Sequence, residues 1–286
     1  MLELKDISKK YGRVTALKNV NITLGSGIYA LLGPNGSGKS TMMNMIAGIL
    51  PQSEGEILYD GGNIRTLGAS YREKIGYMPQ YPGMYPSFTV RDFLFYMSEL
   101  KGLPRSNTGE VDRILRRVEL DDCTGRRISA LSGGMKQRLS LAAAILGSPE
   151  IIILDEPTAG LDPKQRIAVR NLIAETAAEK TVLWATHIVS DIEGIARNVI
   201  ILKQGEVTDV AAPEVLTEKM TGKVFGVRAD GITAEELRKK YRVCSTVPDR
   251  SGLMLRLLSD LPPCADAMPL APTLEDYYLY VFGDIL

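Results

Sequence analysis

The sequence has no excess of charge of either sign, and it has only three cysteines and one histidine. Its 34 basic and 34 acidic residues balance, so net charge indicates neither nucleic acid nor anionic lipid as a partner. Cys123, Cys244 and Cys264 lie far apart and in no metal-binding spacing. This spacing favours reduced, partly buried thiols in a cytosolic protein.

A long apolar run is also missing. A membrane-spanning helix needs about 20 consecutive apolar residues, and the most apolar candidate, 151–154, leads directly into Asp155 and Glu156. Residues 1–10 are charged and alternating rather than a basic head followed by an apolar secretory segment. We therefore expect a chain that is soluble by itself and that reaches a membrane only through another protein.

Apolar periodicity predicts an α/β fold. Strands are predicted at 2–7, 14–24, 28–32, 56–59, 75–78, 151–154, 181–185 and 199–202. Helices are predicted at 39–49, 90–100, 111–118, 133–146 and 163–179, with the polar run 105–109 between the second and third. Because strands and helices alternate, we expect a mainly parallel sheet. The helical stretch from about 81 to 148 is interpreted as a subdomain inserted into this core.

After residue 213 the pattern changes, and we divide the chain into domains 1–213 and 214–286. The second domain is predicted to be a small α+β appendix with strands at 243–247 and 253–258 and a closing helix at 273–282. Thr233 and Glu236 fit a capping box that would open another helix. The Pro-rich stretch 261–272 is predicted to be a loop.

One segment fits the phosphate-binding pattern G-x-x-x-x-G-K-[ST], and it follows an apolar strand and opens a helix. Its residues are Gly33, Pro34, Asn35, Gly36, Ser37, Gly38, Lys39 and Ser40. The glycines let backbone N–H groups point at phosphates, and the helix N-terminus adds partial positive charge. In this pattern Lys39 reaches the β- and γ-phosphates, Ser40 binds Mg²⁺, and Thr41 can contact the α-phosphate.

Two acidic residues form the second half of the predicted site. An aliphatic strand ends at Asp155, which can hold a magnesium-bound water. Glu156 follows, and its carboxylate can accept the proton of an attacking water. A phosphate loop with an acid-ended strand describes many nucleotide triphosphatases, so these two features leave the family open.

Residues 131–138, with the sequence LSGGMKQR, resemble the signature motif of ABC ATPases. Ser132 is also a good N-cap for the helix that follows, and a capped helix N-terminus with glycines can itself face phosphate. The resemblance implies that Leu131, Ser132, Gly133 and Gly134 of one subunit close over ATP held by the other.

Four further residues match the ABC family in the same order along the chain. The resemblance implies that Gln80 contacts Mg²⁺, that Asp162 belongs to the D-loop, that His187 senses the γ-phosphate, and that Tyr11 stacks on adenine. Asp162 would also be an ordinary helix N-cap before Pro163. Together with the resemblance, the sequence predicts a catalytic set of Lys39, Glu156 and His187, with Mg²⁺ held by Ser40, Gln80 and Asp155.

The resemblance covers roughly residues 1–213 and implies a P-loop NTPase core of the ABC ATPase type, with an antiparallel N-terminal β-subdomain. It further implies a homodimer that closes on two ATP–Mg²⁺ pairs and drives a permease made of separate chains. The protein would then be cytoplasmic, peripheral on the inner face of the cell membrane, with no nucleic acid as partner.

The chain resembles the ATPases of ABC-2-type exporters in its sequence and its length. The segment 272–278 resembles the tail of that group too. The aromatic stretch 83–96 can pack the helical subdomain, and it also occupies the place where ABC ATPases accept a permease. The alternatives are a soluble ABC ATPase acting on ribosomes or DNA and a regulator that binds ATP without turnover. A soluble ABC ATPase of that kind would usually carry two cassettes in one chain, a long coiled coil or basic surfaces, none of which is visible in the sequence. A regulator without turnover would tolerate the loss of Glu156, which is present.

Overall fold

The computed structural model describes residues 1–103, 108–249 and 252–283. Most of the break predicted at 105–109 lies outside these ranges. The chain divides into two compact units, Met1–Val210 and Ala211–Leu286.

Strands and helices are numbered separately in chain order. The strands are β1 Leu2–Tyr11, β2 Val14–Leu24, β3 Gly27–Leu32, β4 Glu54–Tyr59, β5 Gly62–Asn63, β6 Ile75–Met78, β7 Ile151–Asp155, β8 Thr181–Thr186, β9 Asn198–Lys203, β10 Glu206–Ala211, β11 Val224–Ala229, β12 Arg242–Asp249, β13 Gly252–Leu258 and β14 Met268–Pro269. The helices are α1 Lys39–Ile46, α2 Ile64–Leu67, α3 Ala69–Arg72, α4 Val90–Leu100, α5 Thr108–Arg117, α6 Gly133–Ile145, α7 Pro163–Thr176, α8 Val189–Ile192, α9 Pro213–Glu218, α10 Gly231–Lys240 and α11 Leu274–Phe282.

Two sheets build the first unit. The N-terminal sheet has the order β2-β1-β4-β5, and its paired strands are antiparallel. The central sheet has the order β10-β9-β3-β8-β7-β6, and the pairs from β9 to β6 are parallel. The predicted α/β core with an antiparallel N-terminal subdomain is therefore confirmed.

Helix α1 packs into the apolar core that joins these sheets. Its Met42, Met43, Met45 and Ile46 share one buried cluster with residues from both sheets. Burying four large side chains on one short helix contributes roughly 1.5–3 kcal/mol for each of them. The loop before α1 is consequently held at the end of β3.

The central sheet also determines where the acidic and histidine segments lie. Leu32 pairs with Thr186, and Asp155 pairs with Ala185. Because β3, β7 and β8 are parallel, their carboxyl ends meet at one edge of the sheet. The phosphate loop, Asp155 and the residues after Thr186 therefore share that edge.

Helices α4, α5 and α6 form the inserted helical segment. Thr89 caps α4 through a capping box with Asp92, and Val90, Phe93 and Leu94 of α4 are buried. Within the described ranges, no helix is long and apolar enough to span a membrane.

The second unit contains an antiparallel sheet in the order β12-β13-β11-β14. Helix α10 contacts this sheet, and Leu237 packs against the buried Phe225, Val227 and Leu257. The predicted α+β character is observed, but β11 was not predicted.

Three local predictions in the second unit were wrong. Asp230, rather than Thr233, caps α10, because its carboxylate accepts from the amide of Thr233. The stretch predicted as a loop contains β14, since Met268 and Pro269 pair with β11. Cys264 is exposed rather than partly buried.

Candidate active site

The phosphate loop has the backbone geometry that its glycines suggest. Gly36 and Gly38 have φ values of 81° and 111°, a region that side-chain-bearing residues rarely occupy. A Cβ atom on Gly38 would lie 2.7 Å from the carbonyl oxygen of Ala16. Glycine is therefore required at this position by both the backbone angle and the close approach of β2.

Lys39 points its ammonium group back into this loop. Nζ donates hydrogen bonds of 2.6 Å to the carbonyl of Gly33 and 3.1 Å to that of Pro34. Burial lowers the pKa of Lys39, while the carboxylates of Glu156 and Asp155 act in the opposite direction. The loop thus holds a cation where phosphate oxygens can replace its carbonyl partners.

Ser40 and Asp155 meet on the other side of the loop. The Ser40 hydroxyl donates a 3.2 Å hydrogen bond to Asp155 Oδ2, and Asp155 is 5% exposed. Burial raises the pKa of Asp155, and the hydrogen bond from Ser40 opposes the increase.

This pair of oxygens suits Mg²⁺, which takes oxygen ligands and is usually bound through one or two carboxylates together with substrate phosphates. Among the described residues, no group of three or more His, Cys, Asp or Glu side chains could hold a metal ion by itself. The geometry therefore fits a metal ion that takes some of its ligands from the protein and the rest from the phosphates of a bound nucleotide.

Glu156 has an unusual backbone conformation. Its φ of 51° is in the left-handed region, which costs energy in a residue with a side chain and persists only where neighbours enforce it. Its amide donates to Ala185, and its carbonyl accepts from the amide of Ala159 and from Gln137 Nε2 at 2.7 Å. These bonds fix the start of the Glu156 side chain.

The carboxylate of Glu156 is held from a second segment. His187 Nδ1 lies 2.8 Å from Glu156 Oε1, and the Thr186 hydroxyl donates to Oε2 at 3.2 Å. Because a carboxylate only accepts hydrogen bonds, the imidazole proton belongs on Nδ1. Glu156 is 7% exposed, whereas the His187 side chain is 61% exposed.

A cavity of about 190 Å³ brings many of the predicted residues together. Its lining comprises Ala16, Asn35, Gly36, Gly38, Lys39, Ser40, Thr41, Gln80, Asp155 and Glu156. The remaining residues of the phosphate loop are Gly33, Pro34 and Ser37, and the carbonyls of the first two accept from Lys39. His187 does not line the cavity but contacts Glu156, which does.

The other predicted residues lie apart from this lining. They are Tyr11, Leu131, Ser132, Gly133, Gly134 and Asp162. Ser132 caps α6 by accepting from the amide of Met135 at 3.2 Å, and Asp162 caps α7 by accepting from that of Gln165 at 2.9 Å. Tyr11 is 48% exposed, and Lys9 Nζ lies 5.1 Å from the centre of its ring.

Two further residues have roles that were not predicted from the sequence. The side-chain amide of Gln137 donates to the carbonyl of Glu156, and Asp191 accepts from Thr158 and Arg166. Gln137 lies within the signature-like segment, where its polar side chain one turn into a helix was an available signal. Asp191 gave no local signal, because its partners come from other parts of the chain.

Comparison with known proteins places this geometry in a family. The ABC transporter family matches residues 17–159. The chain is 37% identical to the uncharacterized ABC transporter ATP-binding protein YxlF of Bacillus subtilis (strain 168), over 79% of this chain and 75% of that one. It is 31% identical to the Nod factor export ATP-binding protein I of Burkholderia orbicola (strain AU 1054), over 77% of this chain and 74% of that one.

A solved structure of similar fold is the dimeric MJ0796, a bacterial ABC transporter cassette. It superposes with a TM-score of 0.70 at 30% identity, covering 74% of this chain and 98% of the cassette. The same cassette is known in a dimeric post-hydrolysis state bound to ADP and Pi, with a TM-score of 0.68.

Proposed function

The chain belongs to the ABC transporter family, and we propose that it hydrolyses ATP to drive an exporter whose membrane-spanning part is a separate polypeptide. One observation carries the hydrolytic part of this proposal. The Glu156 carboxylate, held by His187, faces the same cavity as Lys39, Ser40 and Asp155. A base, a phosphate-binding cation and a metal-binding pair are thus grouped as hydrolysis of a phosphoanhydride requires.

In this reaction a water molecule attacks the γ-phosphorus of ATP and loses a proton to the Glu156 carboxylate. The bond from the γ-phosphorus to the bridging oxygen breaks, and ADP leaves with that electron pair. Lys39 balances charge on the β- and γ-phosphates. His187 orients Glu156. Its side chain is exposed, so it can contact the γ-phosphate when a second subunit closes over the nucleotide.

The residues that would hold Mg²⁺ are Ser40, Asp155 and Gln80, all of which line the cavity. When bound, the ion would neutralise charge that develops on the phosphate oxygens. Gln80 is exposed and follows β6, so its side chain can reach toward the cavity without a change in the core.

We propose that two copies of the chain form the complete site. Ser132 and Gly133 are exposed at the N-terminus of α6, where backbone N–H groups and the helix dipole favour a phosphate. They lie away from the cavity of their own chain, so the phosphate that they contact would belong to a second copy. The exposed Asp162 would lie at the same interface, and Tyr11 would stack on the adenine.

The permease would dock on exposed aromatic side chains that precede α4. Tyr81 is 85% exposed and Tyr85 is 47% exposed. Tyr85 stacks on Phe88 at 5.0 Å and meets the edge of Tyr96 at 5.4 Å. Tyr85, Phe88 and Tyr96 thus form an aromatic cluster, and exposed aromatic groups are typical of protein interfaces. Closure of the dimer would move this cluster and the permease together.

Export rather than import is favoured by the Nod factor export ATP-binding protein among the relatives. The chain would act at the cytoplasmic face of the membrane, where its permease holds it. We assign residues 1–213 to the ATPase domain and residues 214–286 to an accessory domain.

Two measurements on the full chain test these proposals. Purified protein should release phosphate from ATP with Mg²⁺. Tagged Glu156→Gln protein, captured with ATP from detergent-solubilised native membranes, should retain a polytopic membrane protein in near-equal amount. The matched control carries Tyr81→Ala and Tyr85→Ala in addition, and it should bind ATP normally but lose that partner.

Recovery of ribosomal proteins or DNA-bound factors in place of a membrane protein would favour a soluble regulatory ATPase and overturn the transport proposal. ATP binding without phosphate release by the wild-type protein would overturn the proposal of hydrolysis. Equal recovery of the permease by the tyrosine-substituted and unsubstituted proteins would remove the docking role of Tyr81 and Tyr85.

A further inference from the structure

Asp191 is a buried carboxylate that the proposed hydrolysis does not use directly. It lies in α8, shortly after His187, and is 2% exposed. Oδ2 accepts a 2.5 Å hydrogen bond from the Thr158 hydroxyl. Oδ1 accepts from Arg166 Nη2 at 2.6 Å and from Nε at 3.2 Å. A single side chain thus joins three segments of the first unit.

Both partners of Asp191 belong to the stretch that starts at Glu156. Thr158 lies in the turn directly after Glu156, and its carbonyl accepts from the amide of Leu161. Arg166 lies in the first turns of α7, where its own amide donates to the carbonyl of Asp162 at 2.9 Å. Asp191 is therefore bonded to the beginning of the loop that connects Glu156 with α7 and to the first turn of α7 itself.

The histidine segment is consequently attached to that stretch at three points. At one end His187 and Thr186 hold the Glu156 carboxylate. At the other end Asp191 binds Thr158 and Arg166. Arg170 adds a third link, because its guanidinium donates to the carbonyl of Glu193 at 3.2 Å. Releasing Asp191 would leave the histidine segment attached through the contacts of His187 and Thr186 with the Glu156 carboxylate and through the Arg170 link.

A purely structural ion pair is the competing interpretation, and the second unit contains one. Arg256 donates to Asp276 from Nε at 2.8 Å and from Nη2 at 2.6 Å, and the Thr273 hydroxyl also donates to Asp276. Asp276 is 1% exposed. The threonine in this pair is the N-cap of the same helix, so Asp276 stabilises a helix start, whereas Asp191 joins segments that carry predicted site residues.

We propose that Asp191 is a positioning residue for ATP hydrolysis. It holds His187 in place beside Glu156 and couples both residues to the loop that connects Glu156 with α7 and that ends at Asp162. This inference rests on the proposed function. Asp191 does not line the cavity, so it acts through its contacts rather than on the nucleotide. Its loss should affect turnover, which depends on the placement of Glu156 and His187, more than ATP binding, which depends on the phosphate loop.

The test compares Asp191→Asn with the matched variant Asp276→Asn in the full chain. Asp191→Asn should lower kcat by roughly 10–10²-fold, the effect expected from a small displacement of reacting groups, and should leave the ATP dissociation constant within about twofold. Asp276→Asn disturbs a buried carboxylate with the same kinds of partner, an arginine and a threonine, and should leave kcat unchanged. Thr158→Val provides a second variant, because it removes one hydrogen bond to Asp191 while retaining the shape and the ion pair.

A double-mutant cycle with His187→Ala separates positioning from general destabilisation. If Asp191 acts through His187, Asp191→Asn should change kcat by less than about twofold once His187 is already alanine. Wild-type kcat in both Asp191→Asn and Thr158→Val, or the same loss of kcat with and without His187, would overturn the inference. Wild-type hydrolysis is measured in parallel, so its absence would count against the proposed function instead.

Discussion

The Ser40 hydroxyl donates a 3.2 Å hydrogen bond to Asp155 and joins two segments 115 residues apart. Ser40 lies in the first turn of α1, at the end of the phosphate loop, and Asp155 ends β7. The bond brings two oxygen ligands together at the carboxyl edge of the central sheet. Since burial raises the pKa of Asp155, a divalent cation bound beside it would offset the cost of keeping this carboxylate ionised.

Asp155→Asn should lower Mg²⁺-dependent ATP hydrolysis by at least roughly 10²-fold, because a metal supplies several kcal/mol of charge stabilisation in such reactions. The measurement is phosphate release against Mg²⁺ concentration. Asp276→Asn is the matched control and should keep the wild-type Mg²⁺ midpoint, since Asp276 does not line the cavity. An unchanged Mg²⁺ midpoint in Asp155→Asn would exclude Asp155 as a ligand.

The raised pKa of Asp155 also predicts a dependence of stability on pH. The folded state binds this proton more tightly than the unfolded chain does. Without Mg²⁺ and nucleotide, the free energy of unfolding should therefore gain from this group as pH falls through the raised pKa toward about 3.9. Chemical denaturation at several pH values should show that contribution in the wild type and its loss in Asp155→Asn; equal pH slopes in the two proteins would contradict it.

Glu156→Gln should retain ATP affinity and slow turnover by roughly 10²–10⁴-fold, the usual contribution of a general base. Glutamine keeps the size of the side chain and can still contact Thr186 and His187, but it cannot accept the proton of the attacking water. Single-turnover hydrolysis and equilibrium ATP binding measure the two effects separately. Turnover equal to that of the wild type would show that another group takes the proton.

Lys39→Ala should weaken ATP binding by roughly 10²-fold, since a charged hydrogen bond is removed from a buried phosphate site. Because burial lowers the pKa of Lys39, its ammonium loses its proton at a lower pH than an ordinary lysine. As pH rises, ATP affinity of the wild type should accordingly begin to decline at a lower pH than the titration of an ordinary lysine would give. Titrations of a fluorescent ATP analogue across alkaline pH would test this, with Lys39→Ala expected to lack that decline.

Ser132→Arg should leave ATP binding by the single chain intact and prevent the ATP-dependent dimer. Ser132 is exposed and lies outside the cavity of its own chain, so a long cation there would clash only with a second copy. Light scattering of Glu156→Gln protein with and without ATP measures dimer formation. Ser129→Arg places the same side chain at another exposed serine and should still dimerise; a normal dimer in Ser132→Arg would argue against a shared site.

Much of this protein follows from neighbours in its sequence. The phosphate loop depends on glycines, a lysine and a serine within the segment 33–40, so its conformation and chemistry could be predicted directly. The N-caps at Ser132 and Asp162 are local for the same reason, because each bond reaches only three residues along the chain. Apolar runs likewise predicted β3, β6, β7 and β8 close to their observed bounds.

Other features were decided by tertiary structure. The aromatic stretch 83–96 contains both the buried Phe93 and the exposed Tyr85, and only the packing of α4 determines which side chain is buried. The left-handed backbone of Glu156 persists because Gln137 and Ala185 bind it from other elements. The partners of Asp191 lie 33 and 25 residues away in the chain. The sequence determines which groups the site contains, but hydrogen bonds between distant segments form only after strands and helices pack, so their geometry had to come from the structure.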